Sequence, residues 1–302
     1  MESPAAYWEY FVSVEKSSFF NLLEGLRHLN LGDGWLASMA ALFFLFALEF
    51  VVPWRKQQRK LRNGLGTDVF YLIFNTLLMG GLFGSAVVAV LIVLFRDLLS
   101  VFGINHLVAI ELSGMQMWAR FLLMFIVGDL LGWAGHWLLH RVDFLWAFHK
   151  VHHSSKELDV WNAQRFHVGE QLYWPLFNYL PMGLIGWPAG EVFAYSVIAS
   201  LLSTYTHANI QIPLGPLKYI INNPQLHIWH HAASIDTRKN VNYGDSLCVW
   251  DYLFRTAYLP PEQGDVRLGF DDVDSYPTGY LGQFVRPFVE IVGGVRNKLS
   301  PR

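Results

Sequence analysis

A single cysteine, Cys248, rules out an internal disulfide and any set of iron–sulfur thiolates. It fits a chain facing a reducing compartment, and its apolar neighbours predict a small buried side chain. Charge is scarce as well. Asp, Glu, Lys and Arg make up 15% of the 302 residues and leave a net −2, so no basic face is implied and nucleic acid is not expected as a partner. There is no glycine loop for a nucleotide and no flavin or haem motif, so redox chemistry here would draw its electrons from an external donor. Internal repeats of solenoid length and low-complexity tracts are also missing. Residues 1–33 carry mixed charge without a basic n-region and an apolar h-region, so a cleaved signal peptide is not expected.

Apolar residues dominate what remains. They reach 53%, aromatics 16% with twelve Trp, and mean hydropathy is +0.28, a composition suited to a bilayer with rings at its interfaces. After an amphipathic lead-in at 1–34, Trp35–Trp54 holds one acid, Glu49, and is long enough to cross about 30 Å of hydrocarbon. Arg55, Lys56, Arg59, Lys60 and Arg62 follow without an acid, which places that end on the cytoplasmic side. Val69–Phe95 is uncharged and predicted to cross outward, with Arg96 and Asp97 beyond the far interface. Met117–Leu139 crosses back with Asp129 deep in the span, and so delivers His136 and His140 to the cytoplasmic end. Leu172–Tyr205 is apolar but broken by Pro175, Pro181 and the GWPAGE run at 186–191, which predicts a helical hairpin that enters and returns. The expected fold is an all-α integral membrane protein of four to five membrane-embedded segments, three spans plus the hairpin, with a cytosolic histidine-rich helical cap. Near the end, Leu281, Phe284, Val285, Phe288, Ile291 and Val292 recur at helical spacing, predicting an amphipathic helix that faces a core or rests on a membrane.

Ten of the twelve histidines fall between 136 and 231. His136 and His140, four apart on a predicted helix, share a face. His149, His152 and His153 form H-x-x-H-H, and His227, His230 and His231 repeat it. On a helix the i, i+3, i+4 set keeps to one side while its adjacent pair diverges by about 100°, so one such element can serve two neighbouring ions. With His207 added, nine imidazoles are too many for one ion and suit two ions with four or five ligands each. A lone buried histidine is usually a hydrogen-bonded core residue, but packing gives no reason for nine at ligand spacing. Imidazole suits Zn, Cu, Fe and Ni alike, so spacing does not choose the metal. His167 fits no helical pair; it is read as a group beside the ligands, with an extra ligand as the alternative. Asp129, Glu170, Asn242 and Asp251 are read in the same way, as groups that orient rings or balance charge.

The runs GHWLLHRVDFLWAFHKVHHSS (135–155), NAQRFHVGE (162–170), THANI (206–210), NNPQLHIWHH (222–231) and NYGDSLCVWDYLFRT (242–256), in this order, resemble the fatty acid hydroxylase/sterol desaturase superfamily of integral-membrane enzymes over about residues 120–258. The resemblance implies a centre of two Fe ions held by histidines, with O₂ as co-substrate, that attacks an unactivated C–H bond of a fatty acyl chain, sterol or related lipid. It implies hydroxylation, with desaturation at the same site as the alternative, and electrons from a cytochrome b5-, ferredoxin- or reductase-type donor. Three positions depart from the family pattern. Trp137 stands where many members have Arg, Arg255 where many have Gly, and Ser203 where some hydroxylases carry a further ligand His, so nine ligands are expected rather than ten.

The expected organisation is a lead-in at 1–34, two spans and their connection at 35–116, a hydroxylase-like domain at 117–258 and a cytosolic tail at 259–302. Lipid should approach from the bilayer along an apolar tunnel. A histidine-rich metal transporter would string acids and histidines along several spans, and a b-type cytochrome would set histidine pairs across haem. The clustering of histidines at one side argues against both.

Overall fold

The computed structural model describes residues 9, 12–13, 33–75, 85–104, 112, 114–178, 181–182, 187–233, 241–260 and 266–299. Among these the regular secondary structure is helical, and the β contacts are the isolated bridges Pro53–Ile210, Ile221–Leu247 and Ala232–Leu268. The lead-in expected at 1–34 lies outside the described residues apart from 9, 12–13 and 33–34.

Helix α1 (Asp33–Val51) contains the apolar stretch Ser38–Val51. The acid within that apolar stretch, Glu49, is buried, and its carboxylate accepts the backbone N–H of Val160 (3.0 Å) and of Asn209 (2.8 Å). The predicted span at 69–95 is not one helix over its described part. Helix α2 (Leu65–Tyr71) gives way to π-type turns through Asn75, whose side-chain amide donates to the Phe166 carbonyl at 2.6 Å. Residues 76–84 lie outside the described set, and α3 (Ser85–Val101) then continues through Arg96 and Asp97, which were expected beyond the span. Arg96 is exposed, so the helix can extend past its apolar run without burying charge.

Helix α4 (Met117–Arg141) has 25 residues and is the one helix among those described that is long and apolar enough to cross a membrane. At 1.5 Å per residue it spans about 37 Å. Met117, Trp118 and Leu122 are exposed near its start, whereas Trp133, His136, Leu139 and His140 are buried near its end. One end of the helix therefore meets the surroundings and the other the interior. Gly128 lies where α4 meets Tyr195 and Met182; a Cβ there would fall 2.7 Å from the Tyr195 ring.

Helices α5 (Asp143–His153), α6 (Val168–Asn178, with Pro175 inside), α7 (Ala189–His207), α8 (Pro224–His230), α9 (Val249–Leu253) and α10 (Tyr280–Leu299) complete the fold. The hairpin expected at 172–205 corresponds to α6 and α7; the stretches 179–180 and 183–186 between them lie outside the described residues. The ends of α1 and α7 sit together, since Trp54 N–H donates to the Asn209 carbonyl (3.3 Å) and Gln211 N–H to that of Val52 (3.0 Å).

Part of the basic run after α1 faces inward. Arg62 is buried and donates to Asp159 (2.7 and 2.8 Å) and to Asp68, which also takes Arg165 and the Asn162 amide (3.0 Å). Arg62 was read as a topology charge, but it serves this interior network. On α10 the predicted stripe is largely exposed, at Leu281, Phe284, Val285, Phe288 and Val292, with Ile291 half-buried; Gln283 and Pro287, outside the stripe, are buried, and Phe288 meets Phe148 (centroids 5.6 Å apart).

Candidate metal centre

Local rules set the histidine-bearing ends. Helix α8 starts on Asn223, whose side chain accepts Leu226 N–H (3.2 Å), with Pro224 as its first residue, so His227, His230 and His231 fall at a fixed phase. His140, His152 with His153, His207, and His227 with His230 occupy the last turns of α4, α5, α7 and α8. Helix C-termini carry partial negative charge, so ends converging in this way favour a cation between them.

The rings gather in two groups. His136, His140, His149, His153 and His230 place one ring nitrogen each within 4.8 Å of one another, and His152, His207, His227 and His231 do the same. All nine are buried. The adjacent pairs divide: His152 and His153 go to different groups, as do His230 and His231. Aromatic side chains enclose them, with Phe166 stacked on His152 (5.0 Å) and Trp146 4.8 Å from His140.

Hydrogen bonding fixes several tautomers. A carbonyl or carboxylate oxygen only accepts, so the Nδ1 facing it must carry the proton. His136 Nδ1 donates to the Tyr243 carbonyl (2.9 Å), His230 Nδ1 to that of Val241 (2.9 Å), His207 Nδ1 to that of Ser203 (2.7 Å) and His149 Nδ1 to Glu170 (2.8 Å). In these four neutral rings Nε2 is left with a lone pair. Yet the Nε2 atoms of His136 and His149 stand 3.1 Å apart, two acceptors with no proton to share. His207 Nε2 likewise faces the Nε2 atoms of both His152 and His227 at 3.1 Å. Converging lone pairs repel unless a cation lies between them. With metal–imidazole bonds of about 2.0–2.1 Å, two ligands at roughly a right angle stand about 3 Å apart. The donor set therefore fits metal ions. Burial foremost, then neighbouring rings, holds His149, His152, His153, His227, His230 and His231 well below the ordinary imidazole range, which keeps them neutral and able to ligate.

The acids and amides singled out from sequence fall at different distances from the rings. Glu170 touches one directly through His149 and also accepts the Trp174 indole N–H (3.1 Å). Asp251 acts one step away, accepting the N–H groups of Tyr243 (2.9 Å) and Gly244 (2.8 Å) and the Trp133 indole (3.0 Å), and so fixes the backbone that holds His136. Asn242 lies between the two carbonyls that hold His230 and His136. Its φ of 60° is a conformation Asn tolerates, and its amide donates to the Leu226 and Tyr258 carbonyls (both 2.8 Å). Asp129 accepts Ser246 N–H (3.1 Å), Leu247 N–H (3.2 Å) and the Trp250 indole (2.8 Å), tying α4 to the same loop. His167 joins neither group. Its Nε2 donates to the Phe284 carbonyl (2.9 Å) and its Nδ1 accepts Gly169 N–H (2.9 Å), so it links α6 to α10 rather than orienting a ring. The carbonyls of Ser203, Val241 and Tyr243 are the groups sequence reasoning missed, because every residue has a carbonyl and no letter marks the one that is used.

A cavity of about 200 Å³ adjoins both groups, reaching His136, His149, His152, His207 and His227. Asp129, Gln164, Gln171, Asn178, Ser196, Ser200, Ser203 and Asp245 share its wall with Phe166, Trp174 and Tyr195. Aromatic rings with Ala163 and Ala199 supply its apolar surface, and among the described residues that line it there is no Leu, Ile, Val or Met.

Residues 121–256 match the family model described as fatty acid hydroxylase. This segment is similar to the fatty acid hydroxylase family. The chain is 33% identical to the ornithine lipid hydroxylase OlsE of Rhizobium tropici over 51% of its own length and 45% of that protein. It is 34% identical to alkylglycerol monooxygenase of Danio rerio over 55% of its length and 37% of the relative, and 28% identical to that of Xenopus tropicalis over 75% and 48%. The chain thus spans less than half the length of each of these relatives. No solved structure matches it. Within this segment the three departures have the following surroundings. Arg255 sits at φ 59° directly after the α9 cap, where Thr256 N–H returns to the Asp251 carbonyl (2.8 Å), a helix end that favours Gly. Trp137 carries the Arg141 guanidinium over its ring at 5.6 Å. Ser203 supplies its backbone carbonyl to His207.

Proposed function

We propose that this protein is a membrane-bound, O₂-dependent lipid hydroxylase with a two-iron centre, one ion held by His136, His140, His149, His153 and His230 and the other by His152, His207, His227 and His231. The observation that carries the reading is the division of both adjacent histidine pairs between the two groups. A single ion would leave one or two histidines of each H-x-x-H-H element unused. Iron is chosen over zinc because a C–H bond without an acidic or electrophilic handle needs redox chemistry, which a zinc pair does not supply. Two bound irons would supply the redox chemistry that activates O₂, the oxidant, with two electrons from an external donor.

The chain's own residues do the rest. The nine imidazoles hold the ions without neutralising their charge. Glu170 and the carbonyls of Ser203, Val241 and Tyr243 lock the rings with Nε2 turned inward, and buried aromatics keep bulk water away. Electrons come from an external donor of cytochrome b5, ferredoxin or reductase type. Hydroxylation is favoured over desaturation because the relatives are named a hydroxylase and monooxygenases.

In the bilayer, α1, α3 and α4 serve as spans and α6–α7 as the hairpin, with the catalytic domain at 117–258 and the tail at 259–302. The metal site lies on the cytoplasmic face. The adjoining ends of α1 and α7 and the exposed basic residues after α1 support that side. The test is expression with an electron donor under ¹⁸O₂, followed by mass spectrometry of extracted lipid. Labelled hydroxyl is expected, a new double bond would point to desaturation, and unchanged lipid with full metal loading would refute both. Metal analysis should return about two ions per chain. Full activity in His152→Ala or His230→Ala would refute the ligand assignment.

A further inference from the structure

The region after α7, expected to stand in the cytosol, presents an apolar surface of its own. The run IPLGPLKYI (212–220) holds one charge, and its 3₁₀ turn Gly215–Tyr219 has no buried residue. Helix α9 lies beside it. The Ile220 carbonyl accepts Cys248 N–H (2.9 Å), Asn222 N–H donates to the Ser246 carbonyl (2.9 Å), and the Tyr219 and Tyr252 rings meet with centroids 5.7 Å apart. The two short segments thus form one face, on which Leu217, Tyr219, Ile220, Tyr252, Leu253 and Phe254 are all exposed, Leu253 at 64%. A surface bathed in water seldom gathers large apolar side chains in this way.

The position of this face is set by α4. Asp129, midway along that helix, accepts Ser246 N–H (3.1 Å), Leu247 N–H (3.2 Å) and the Trp250 indole (2.8 Å). One turn on, Trp133 donates its indole N–H to Asp251 (3.0 Å) and stacks on Phe254 (4.5 Å). Asp129 and Trp133 continue the stripe of Leu122 and Ile126, which are exposed on the same side of α4 at i and i+4. The face is therefore fastened to the middle of the one helix among those described that can cross a membrane. At 1.5 Å per residue, Trp133 and Asp129 stand about 10 and 16 Å before His140 along the helix, so with the metal centre at the cytoplasmic boundary the face lies level with the adjoining leaflet. Its backbone already suits lipid, since the N–H groups of Leu217, Ile220, Tyr252 and Phe254 bond to the carbonyls of Leu214, Leu217, Cys248 and Trp250. Lys218 and Arg255 are exposed beside it, Lys218 Nζ 5.1 Å over the Tyr219 ring; aromatic rings with cations that reach past them are the composition of a membrane interface.

We propose that this face is seated in the cytoplasmic leaflet of the bilayer, its apolar side chains among phospholipid acyl chains and Lys218 and Arg255 at the phosphates. Phospholipid, and not a second copy of the chain, is the occupant because the face prolongs the exposed stripe of α4. The proposal rests on the reading of α4 as a span. It also gives the leaflet a part in the metal centre, since the loop that leads into α9 carries the Val241 and Tyr243 carbonyls that hold His230 and His136.

The experiment is fluorescence quenching on the metal-loaded protein in nanodiscs of phosphatidylcholine and phosphatidylglycerol. A nitrobenzoxadiazole maleimide is placed singly on Leu253→Cys, Tyr219→Cys, Leu122→Cys and Asp271→Cys, with the wild type, whose Cys248 is buried, as the blank. Leu122 is the reference for the span and exposed Asp271 the reference for water. Each label is quenched in turn by iodide and by doxyl-labelled phosphatidylcholine. Labels at Leu253 and Tyr219 should be quenched by the doxyl lipid as Leu122 is, and by iodide about tenfold less than Asp271, because an anion is excluded from hydrocarbon. Iodide quenching at both positions equal to that at Asp271, with Leu122 still in lipid, overturns the proposal and leaves the span standing. Protection from both quenchers also overturns it, because a protein partner would then cover the face. Iodide at Leu122 with doxyl quenching at Leu253 and Tyr219 would sink the span reading and leave the leaflet seat in place.

Discussion

Single residues carry consequences out of proportion to their size. Arg255 holds a left-handed conformation that costs a non-glycine residue about 1–2 kcal/mol, offset in part by the greater unfolded-state freedom of Gly. Arg255→Gly should therefore raise stability by about 0.5–1 kcal/mol, read as a higher thermal midpoint in detergent; a lowered midpoint would mean the guanidinium makes contacts that outweigh the strain. Glu170 fixes the proton of His149 on Nδ1. Glu170→Ala should weaken metal binding about 10–100-fold by chelator competition, with Glu170→Gln, which keeps an acceptor, in between. Wild-type affinity in the Ala variant would remove Glu170 from the role assigned to it. At this scale the sequence was informative where chemistry depends on side-chain type. The nine clustered histidines and Glu170 were singled out from it. Their carbonyl partners were not, and His167, expected to act beside the ligands, spends its two nitrogens on α6 and α10.

Among the elements, the short helix α8 shows how local rules aim chemistry. Seven residues make a marginal helix alone, and its start is held by the Asn223 cap and Pro224. Asn223→Ala should cost about 1 kcal/mol and lower metal affinity, since the cap sets the phase of His227, His230 and His231; Asn223→Asp, which can still cap, should restore both. If Asn223→Ala binds metal normally, packing and not the cap orients α8. The H-x-x-H-H spacing already implied that adjacent rings diverge. Helix limits were harder to read, because the side chains that end α2 and bury Glu49 bond to backbone about ninety to 160 residues away.

For the molecule as a whole, the network of Arg62, Asp68, Asp159 and Arg165 joins the segment after α1 to the turn that follows the first H-x-x-H-H. Removing one partner from a buried ion network leaves an uncompensated charge, so Arg62→Met should cost about 3–5 kcal/mol. The expected readout is a lowered thermal midpoint with loss of metal, since α5 loses its support. A variant as stable as the wild type would show Arg62 to be a surface charge after all. Read from sequence, Arg62 was one of five cations beside a span, and its burial became visible only once residues 97 positions apart were brought together.

What the sequence determined by itself is the kind of chemistry. Imidazoles at helical spacing, an apolar composition and the absence of thiolates or nucleotide loops are properties of residue type and local period, and they persist however the helices pack. The tertiary structure decided which five and which four rings meet, which carbonyls hold them, and that a cavity adjoins both groups. These features depend on contacts between segments far apart in the chain, and a repeat of 3.6 residues carries no information about what lies across the gap.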